Sequence, residues 1–172
     1  EWLKSDIEYY GKKRKVWIDY AENQFKRISL YYHYKSMCRQ NYLKYLKSGN
    51  LVTYKKYLYA MRGLANAKYI TWDIGLPSID FDETLKTILR LQLTGNFKEI
   101  LPASIIKKLW EIIKLKKKGK EKNIMQNIIK IDNYIESFLK DDSDAPIHKK
   151  LATTLDLDDE LRKIVLGGKK LL

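Results

Sequence analysis

An all-α fold, a bundle of about five to six helices that opens on a long helical hairpin, is what this sequence predicts. Proline and glycine are scarce, at three and eight in 172 residues. No run alternates apolar and polar residues with a period of two, as a half-buried strand would. Apolar residues instead recur three and four positions apart along most of the chain, the spacing that lines one face of a helix.

Residues 1–13 read as a lead-in, with Trp2 and Leu3 ahead of the basic run Lys12, Lys13, Arg14, Lys15. A long helix is expected from about Val16 to Lys47, with Trp17, Ala21, Phe25, Ile28 and Tyr32 on one face. Ser48-Gly49-Asn50 ends it, because glycine takes the positive φ that helix C-termini favour. A second helix follows from about Leu51 to Trp72, its core stripe being Tyr54, Leu58, Met61, Ala65 and Tyr69. Gly75 and Pro77 mark a loop, and Asp80 with Glu83 has the spacing of a capping box that starts a helix at Phe81 and carries it to near Gly95. Pro102 opens a helix reaching Lys118, with Ile105, Leu109, Ile112 and Ile113 as its apolar face. After Gly119 a further helix is expected over 121–140, built on Ile124, Ile128, Ile131, Ile135 and Leu139. Asp141 to Pro146 reads as a polar linker, and a short terminal helix is expected from Asp156 to Val165. Residues 1–140 then form one helical domain, and 141–172 a linker with a short helix.

Charge is unevenly spread. The chain has 34 Lys and Arg against 21 Asp and Glu, a formal charge of +13. From Lys26 to Trp72 there is no acidic residue, yet ten Lys or Arg and nine Tyr occur there. Such a stretch is expected to project an uncompensated positive field, and its rings can stack on bases. A polyanion, nucleotide or nucleic acid is the partner this suggests; a solvated basic face over a Tyr-rich core is the plain alternative. The single cysteine, Cys38, excludes an internal disulfide and suits a reducing, cytoplasmic setting. No apolar run approaches the roughly 20 residues that span a bilayer, so no membrane partner is expected.

Most catalytic chemistries lack their residues. Two histidines and one cysteine give a zinc site almost nothing to be built from. No phosphate-binding glycine loop and no nucleophile elbow is present. The pairs Asp80/Asp82 and Asp156/Asp158 read as helix N-cap and first-turn charges rather than metal ligands. No catalytic and no metal-binding residue is assigned.

One helix face is more informative. Lys55, Tyr59, Arg62 and Asn66 stand at i, i+4, i+7 and i+11, beside Lys56. An ammonium, a phenol, a guanidinium and an amide in line can bind phosphate and contact a base. His33, Met37, Asn41 and Lys44 stand at i, i+4, i+8 and i+11 on the first helix, and the Ser48–Asn50 turn would bring the two faces together. The same spacing also fits a packed Tyr59 with solvated Lys55 and Arg62.

The segment Tyr54 to Ala65 resembles the KKYLYALRPLL-type signature of the YcgL-like nucleotidyltransferases, a group of the DNA polymerase beta superfamily linked to RNA repair. Glu1 to Ser5 is similar to the segment that follows their catalytic domain, and His33 to Met37, with Asn41, to their next helix block. Pro77 to Leu85 and Leu109 to Lys122 fit the later helices. Gly63 stands where the pattern has Pro, and Cys38 where it has Ala.

The resemblance implies a helical domain that follows a nucleotidyltransferase domain and helps bind nucleotide or acceptor RNA. His33, Asn41, Lys55, Lys56, Tyr59, Arg62 and Asn66 are its candidate contacts. Mg²⁺ and a nucleoside triphosphate are implied for the full-length family enzyme, and no cofactor for this chain. Polymerase-beta-type transfer needs a carboxylate platform for its metals, and no Gly-Ser loop followed by an Asp-x-Asp strand occurs here. This chain is therefore expected to lack the catalytic half and to be inactive alone. The alternative is a freestanding basic helical RNA- or DNA-binding or scaffold protein. The sequence preceding Glu1 would separate the two.

Overall fold

The computed structural model describes Lys15 and residues 26–49, 52–95, 97–120, 122–123 and 126–146. The expected lead-in and the terminal helix over 156–165 lie outside the described residues, as do residues 16–25. Within them the architecture is all-helical and no extended strand forms. Helix α1 is Arg27–Asn41 and runs into a π-helical turn, Tyr42–Lys47. Helix α2 is Tyr54–Thr71, α3 Phe81–Leu93, α4 Ala103–Lys117 and α5 Ile129–Lys140.

Helices α1 and α2 form the antiparallel hairpin on which the rest packs. Gly63 lies where they cross. A Cβ built there would stand 2.7 Å from the Cys38 amide nitrogen and 2.8 Å from the Tyr34 carbonyl oxygen. Only a residue without a side chain permits that approach, because the obstructing atoms are backbone and cannot rotate aside. At the far end Arg27 donates to the Ile70 carbonyl from Nε at 3.2 Å and to the Ile70 and Thr71 carbonyls from Nη2 at 2.9 Å. It thereby satisfies carbonyls that the end of α2 leaves without partners. Its Nη1 pairs with Asp73 at 2.9 Å, and Asp73 has the left-handed φ of 59° common just past a helix end.

Helix α2 is the central element. Its buried residues are not the single expected stripe but Tyr57, Ala60, Met61, Gly63, Leu64, Ala65, Asn66, Ala67, Tyr69 and Ile70. Tyr54 and Leu58, expected in the core, are only half-buried. The small residues that open close crossings mark this helix as enclosed on several sides. It begins at Tyr54 rather than Leu51, because Thr53 is extended and its hydroxyl accepts the Lys56 amide.

Asp80 caps α3 as expected, its Oδ1 accepting from the Asp82 amide at 2.9 Å. The return half of the box is not made: Glu83 pairs with Lys86, and the Asp80 amide donates to Ser78 Oγ. Helix α4 buries Ile105, Ile106, Leu109, Ile112 and Ile113. Each such side chain contributes about 1.5–3 kcal/mol on leaving water.

Two expected boundaries move. The first helix is not continuous from Val16 to Lys47, because Lys26 has extended backbone and α1 starts at Arg27. Helix α5 starts at Ile129 rather than near 121. Its lead-in is tied down by side chains: the Ile128 amide donates to the Tyr57 hydroxyl at 2.7 Å, and Asn127 Nδ2 to the Leu46 carbonyl at 3.2 Å. Those bonds take the place of a helical turn. Asp141 to Pro146, expected as a linker, is held against the bundle, with Pro146 buried and Lys35 Nζ donating to the Asp141 carbonyl at 2.6 Å.

Candidate nucleic-acid interface

Besides Arg27, which meets Asp73 at the far end, the acid-free stretch meets acids among the described residues along one flank. Helix α5 and the turn after it bring carboxylates to the hairpin. Lys35 pairs with Asp142 at 2.8 Å and Lys47 with Glu136 at 3.1 Å. The Tyr42 hydroxyl donates to Glu136 and the Tyr57 hydroxyl to Asp132, both at 2.9 Å. Burial, with the nearby carboxylates, pushes Tyr31 up to about 12 and Tyr42 and Tyr57 higher still. On this flank the expectation of an uncompensated field is wrong, because residues about 75 to 107 positions later fold back to neutralise it.

Around the π-helical turn and the start of α2 no acid among the described residues answers. Lys44, Lys55 and Lys56 are ion-paired with no carboxylate among the described residues. Lys56 Nζ stands 3.3 Å from the centroid of the Tyr45 ring, and Lys44 Nζ 5.2 Å from the same ring. Hydrogen bonding and charge from Lys44, then the charge of Lys56, hold the Tyr45 phenol below the ordinary tyrosine range. Lys55 Nζ lies 5.8 Å from the Tyr59 ring, which is 43% exposed. Two rings thus carry three ammonium groups, one ring from the π turn and one from α2.

The remaining expected site residues differ in what they present. Arg62 Nη2 donates to the Ile79 carbonyl at 2.9 Å, so it fastens the loop before α3 as well as lining this flank. His33 is exposed, its ring edge-on to Tyr34. Asn41 Nδ2 donates to the Met37 carbonyl at 2.9 Å and is turned back onto its own helix. Asn66 is fully buried and neither amide atom finds a hydrogen-bond partner among the described residues, so it does not share the open surface with Tyr59.

Tyr45 was not among the expected contacts. An α-helical wheel carried through from Arg27 misplaces it, because the π-helical turn at Tyr42–Lys47 holds more residues per turn and changes the direction of every later side chain. The only sequence signal was its membership in the acid-free, tyrosine-rich stretch.

What the arrangement can do is bind anions and stack. Ammonium and guanidinium groups donate to phosphate oxygens, and an exposed phenol ring offers a face to a base. Among the described residues no group of three or more His, Cys, Asp or Glu side chains is placed to hold a metal ion. The Mg²⁺ implied for the family enzyme finds no fitting donor set there. No helix of the described residues is long and apolar enough to cross a membrane.

A helical body with a tyrosine-backed cationic flank has the attributes of a nucleotide- or nucleic-acid-handling module. Comparison with known families gives it a place: residues 1–162 match the model described as the RNA repair pathway DNA polymerase beta family, and the chain belongs to that family. Searches of curated proteins and of solved structures gave no significant match.

Proposed function

We propose that this helical body is the part of a polymerase-beta-type nucleotidyltransferase that binds nucleotide or nucleic acid, the catalytic carboxylates being supplied by a separate nucleotidyltransferase domain. The correspondence to the helical domain of the YcgL-like group belongs to the same proposal. One observation carries it: Lys44, Lys55 and Lys56 gather on two tyrosine rings without a carboxylate partner among the described residues, while neighbouring cations of the same stretch are paired. Family membership supports it.

Fluorescence anisotropy with a short single-stranded RNA, across a salt series, tests this reading. Each phosphate contact releases counterions, so three or four contacts give a log–log slope of about −2 to −3. Tyr59→Ala removes the exposed stacking face and is expected to weaken binding by about 1–3 kcal/mol. Arg62→Ala is expected to weaken it by a similar amount, the range for a charged hydrogen bond. A flat salt response, or binding unchanged in both variants, overturns the proposal. The 172-residue chain alone is expected to incorporate no labelled nucleotide from any nucleoside triphosphate with Mg²⁺ or Mn²⁺, and measured incorporation would refute the division of labour.

A further inference from the structure

We propose that Lys44, Tyr45 and Lys56 form a phosphate-binding subsite at the closed end of the α1–α2 hairpin, one that takes a phosphate group rather than a base. The inference rests on the nucleotide- or nucleic-acid-binding reading and assigns one part of the ligand to one part of that surface.

The two lysines come from different elements and converge on one ring, Lys56 Nζ at 3.3 Å from its centroid and Lys44 Nζ at 5.2 Å. Neither has a carboxylate partner among the described residues. Lys47, three residues after Lys44, is answered by Glu136 at 3.1 Å, so the fold supplies an acid to one cation of this turn and withholds it from its neighbour. Two like charges on one ring repel each other, and the first turn of α2 that carries Lys56 holds no acidic residue to offset them. Among the described residues no anion completes the cluster. A phosphate can accept from both ammonium groups and from the Tyr45 hydroxyl at once.

A base is a poorer fit here. The Lys56 ammonium occupies the space over the Tyr45 ring that a stacked base would need. Tyr59, with its larger open face, is the better stacking platform. The surface thus divides into a phosphate end near the π turn and a base-stacking end farther along α2.

The phosphate can belong to a free nucleotide or to an RNA backbone, and two probes separate these sources. One is ATP without added metal; the other is a 2′-O-methylated, 5′-hydroxyl RNA of about ten nucleotides, which survives alkaline titration. In the full chain, Lys56→Gln and Lys44→Gln are each expected to weaken the probe that uses the subsite about five- to tenfold at low salt. Lys56→Arg is expected to restore binding. A second readout follows the phenol. The tyrosinate absorbance of the parent minus that of Tyr45→Phe reports Tyr45 alone, and saturation with the correct probe should move its midpoint upward, because a bound phosphate opposes the field of the two lysines. A merely structural role would leave that midpoint in place. If both lysine variants bind within twofold of the parent, or the midpoint stays fixed at saturation, while Tyr59→Ala and Arg62→Ala weaken binding, the subsite is wrong and the wider reading stands. If the parent binds neither probe at low salt, both fall.

Discussion

The two flanks of the hairpin start from the same composition and end differently. Both draw on a stretch of 47 residues, Lys26 to Trp72, that contains no acid. Toward α5, Lys35 and Lys47 are paired, and Tyr42 and Tyr57 donate to carboxylates. At the π turn and along the other side of α2, Lys44, Lys55 and Lys56 rest on tyrosine rings instead. The difference is one of tertiary placement. Lys35 and Lys47, which meet α5 and the turn after it, hold the bundle together, and Lys44, Lys55 and Lys56 are left without a carboxylate among the described residues. The phenols divide the same way, since burial pushes Tyr42 and Tyr57 up while Lys44 and Lys56 hold Tyr45 down.

The most severe way to break the contrast is at the crossing that both flanks share. Gly63→Ala puts a methyl group against the Cys38 amide and the Tyr34 carbonyl. Neither helix can yield without repacking, so a loss of about 3 kcal/mol is expected in chemical denaturation. RNA binding should fall with it, because the relative placement of Lys44 and Lys56 depends on the same crossing. A variant within about 0.5 kcal/mol of the parent would show that the helices do not approach this closely.

A smaller effect should fall on one flank alone. Tyr57→Phe removes the hydroxyl that donates to Asp132 and accepts from the Ile128 amide. Both partners then lose a bond near the start of α5, with an expected cost of about 1–3 kcal/mol. Binding of RNA should stay within twofold of the parent. Weakened binding with unchanged stability would reverse the assignment of the two flanks.

How far these flanks could be read from the sequence depends on the range of the interactions. Local signals were legible: the Asp80 cap and the face of α4 both stand as expected. Long-range ones were not. Nothing near Lys35 or Lys47 announces Asp142 or Glu136, and the start of α5 is fixed by Tyr57 and Leu46 more than seventy residues earlier. The π turn escaped because periodicity arguments assume one helical repeat throughout. Of the candidate site, Lys55 with Tyr59 was legible from spacing, Tyr45 was not, and Asn66 shared their helical face but is enclosed in the core. Gly63 and Cys38, the two departures from the resembling pattern, lie against each other at the crossing. Read singly, neither carried chemistry; read together, they describe one packing contact.

Alkaline pH should then lower stability through the phenols buried on the paired flank. The folded-state values of Tyr31, Tyr42 and Tyr57 lie above the ordinary tyrosine value, first through burial. Unfolded tyrosines lose their protons near pH 10, so the unfolded state binds fewer protons above that point. The stabilisation is fully present below pH 10 and declines as pH rises toward the folded values, about 12 for Tyr31. Denaturation midpoints measured from pH 8 to 11 should be level and then fall. Within the first half-unit above pH 10 the change should be smaller than either substitution produces. Tyr31→Phe should flatten the decline, and a midpoint that rises above pH 10 would contradict the placement of these phenols.

The smallest effect should come from a third cationic group, which tests whether location or charge alone decides binding. Lys116 and Lys117 lie in the last turn of α4, and Lys118 follows at its end. The C-terminal end of a helix carries partial negative charge, so lysines there are favoured by their own helix without any ligand. Lys117 also reaches Asp82 at 3.8 Å, and no aromatic ring is stacked with any of the three among the described residues. The triple change Lys116/Lys117/Lys118→Ala removes three positive charges, more than any variant of the open flank. If net charge governed RNA binding, this variant would be the weakest binder. If the arrangement on Tyr45 and Tyr59 governs it, the loss should stay within about twofold at moderate salt, where exposed charges a Debye length from the ligand are screened. Anisotropy at matched ionic strength, set beside Arg62→Ala, decides. A larger loss for the lysine triple than for Arg62→Ala would move the interface to the end of α4 and leave Arg62 as the residue that fastens the loop at Ile79.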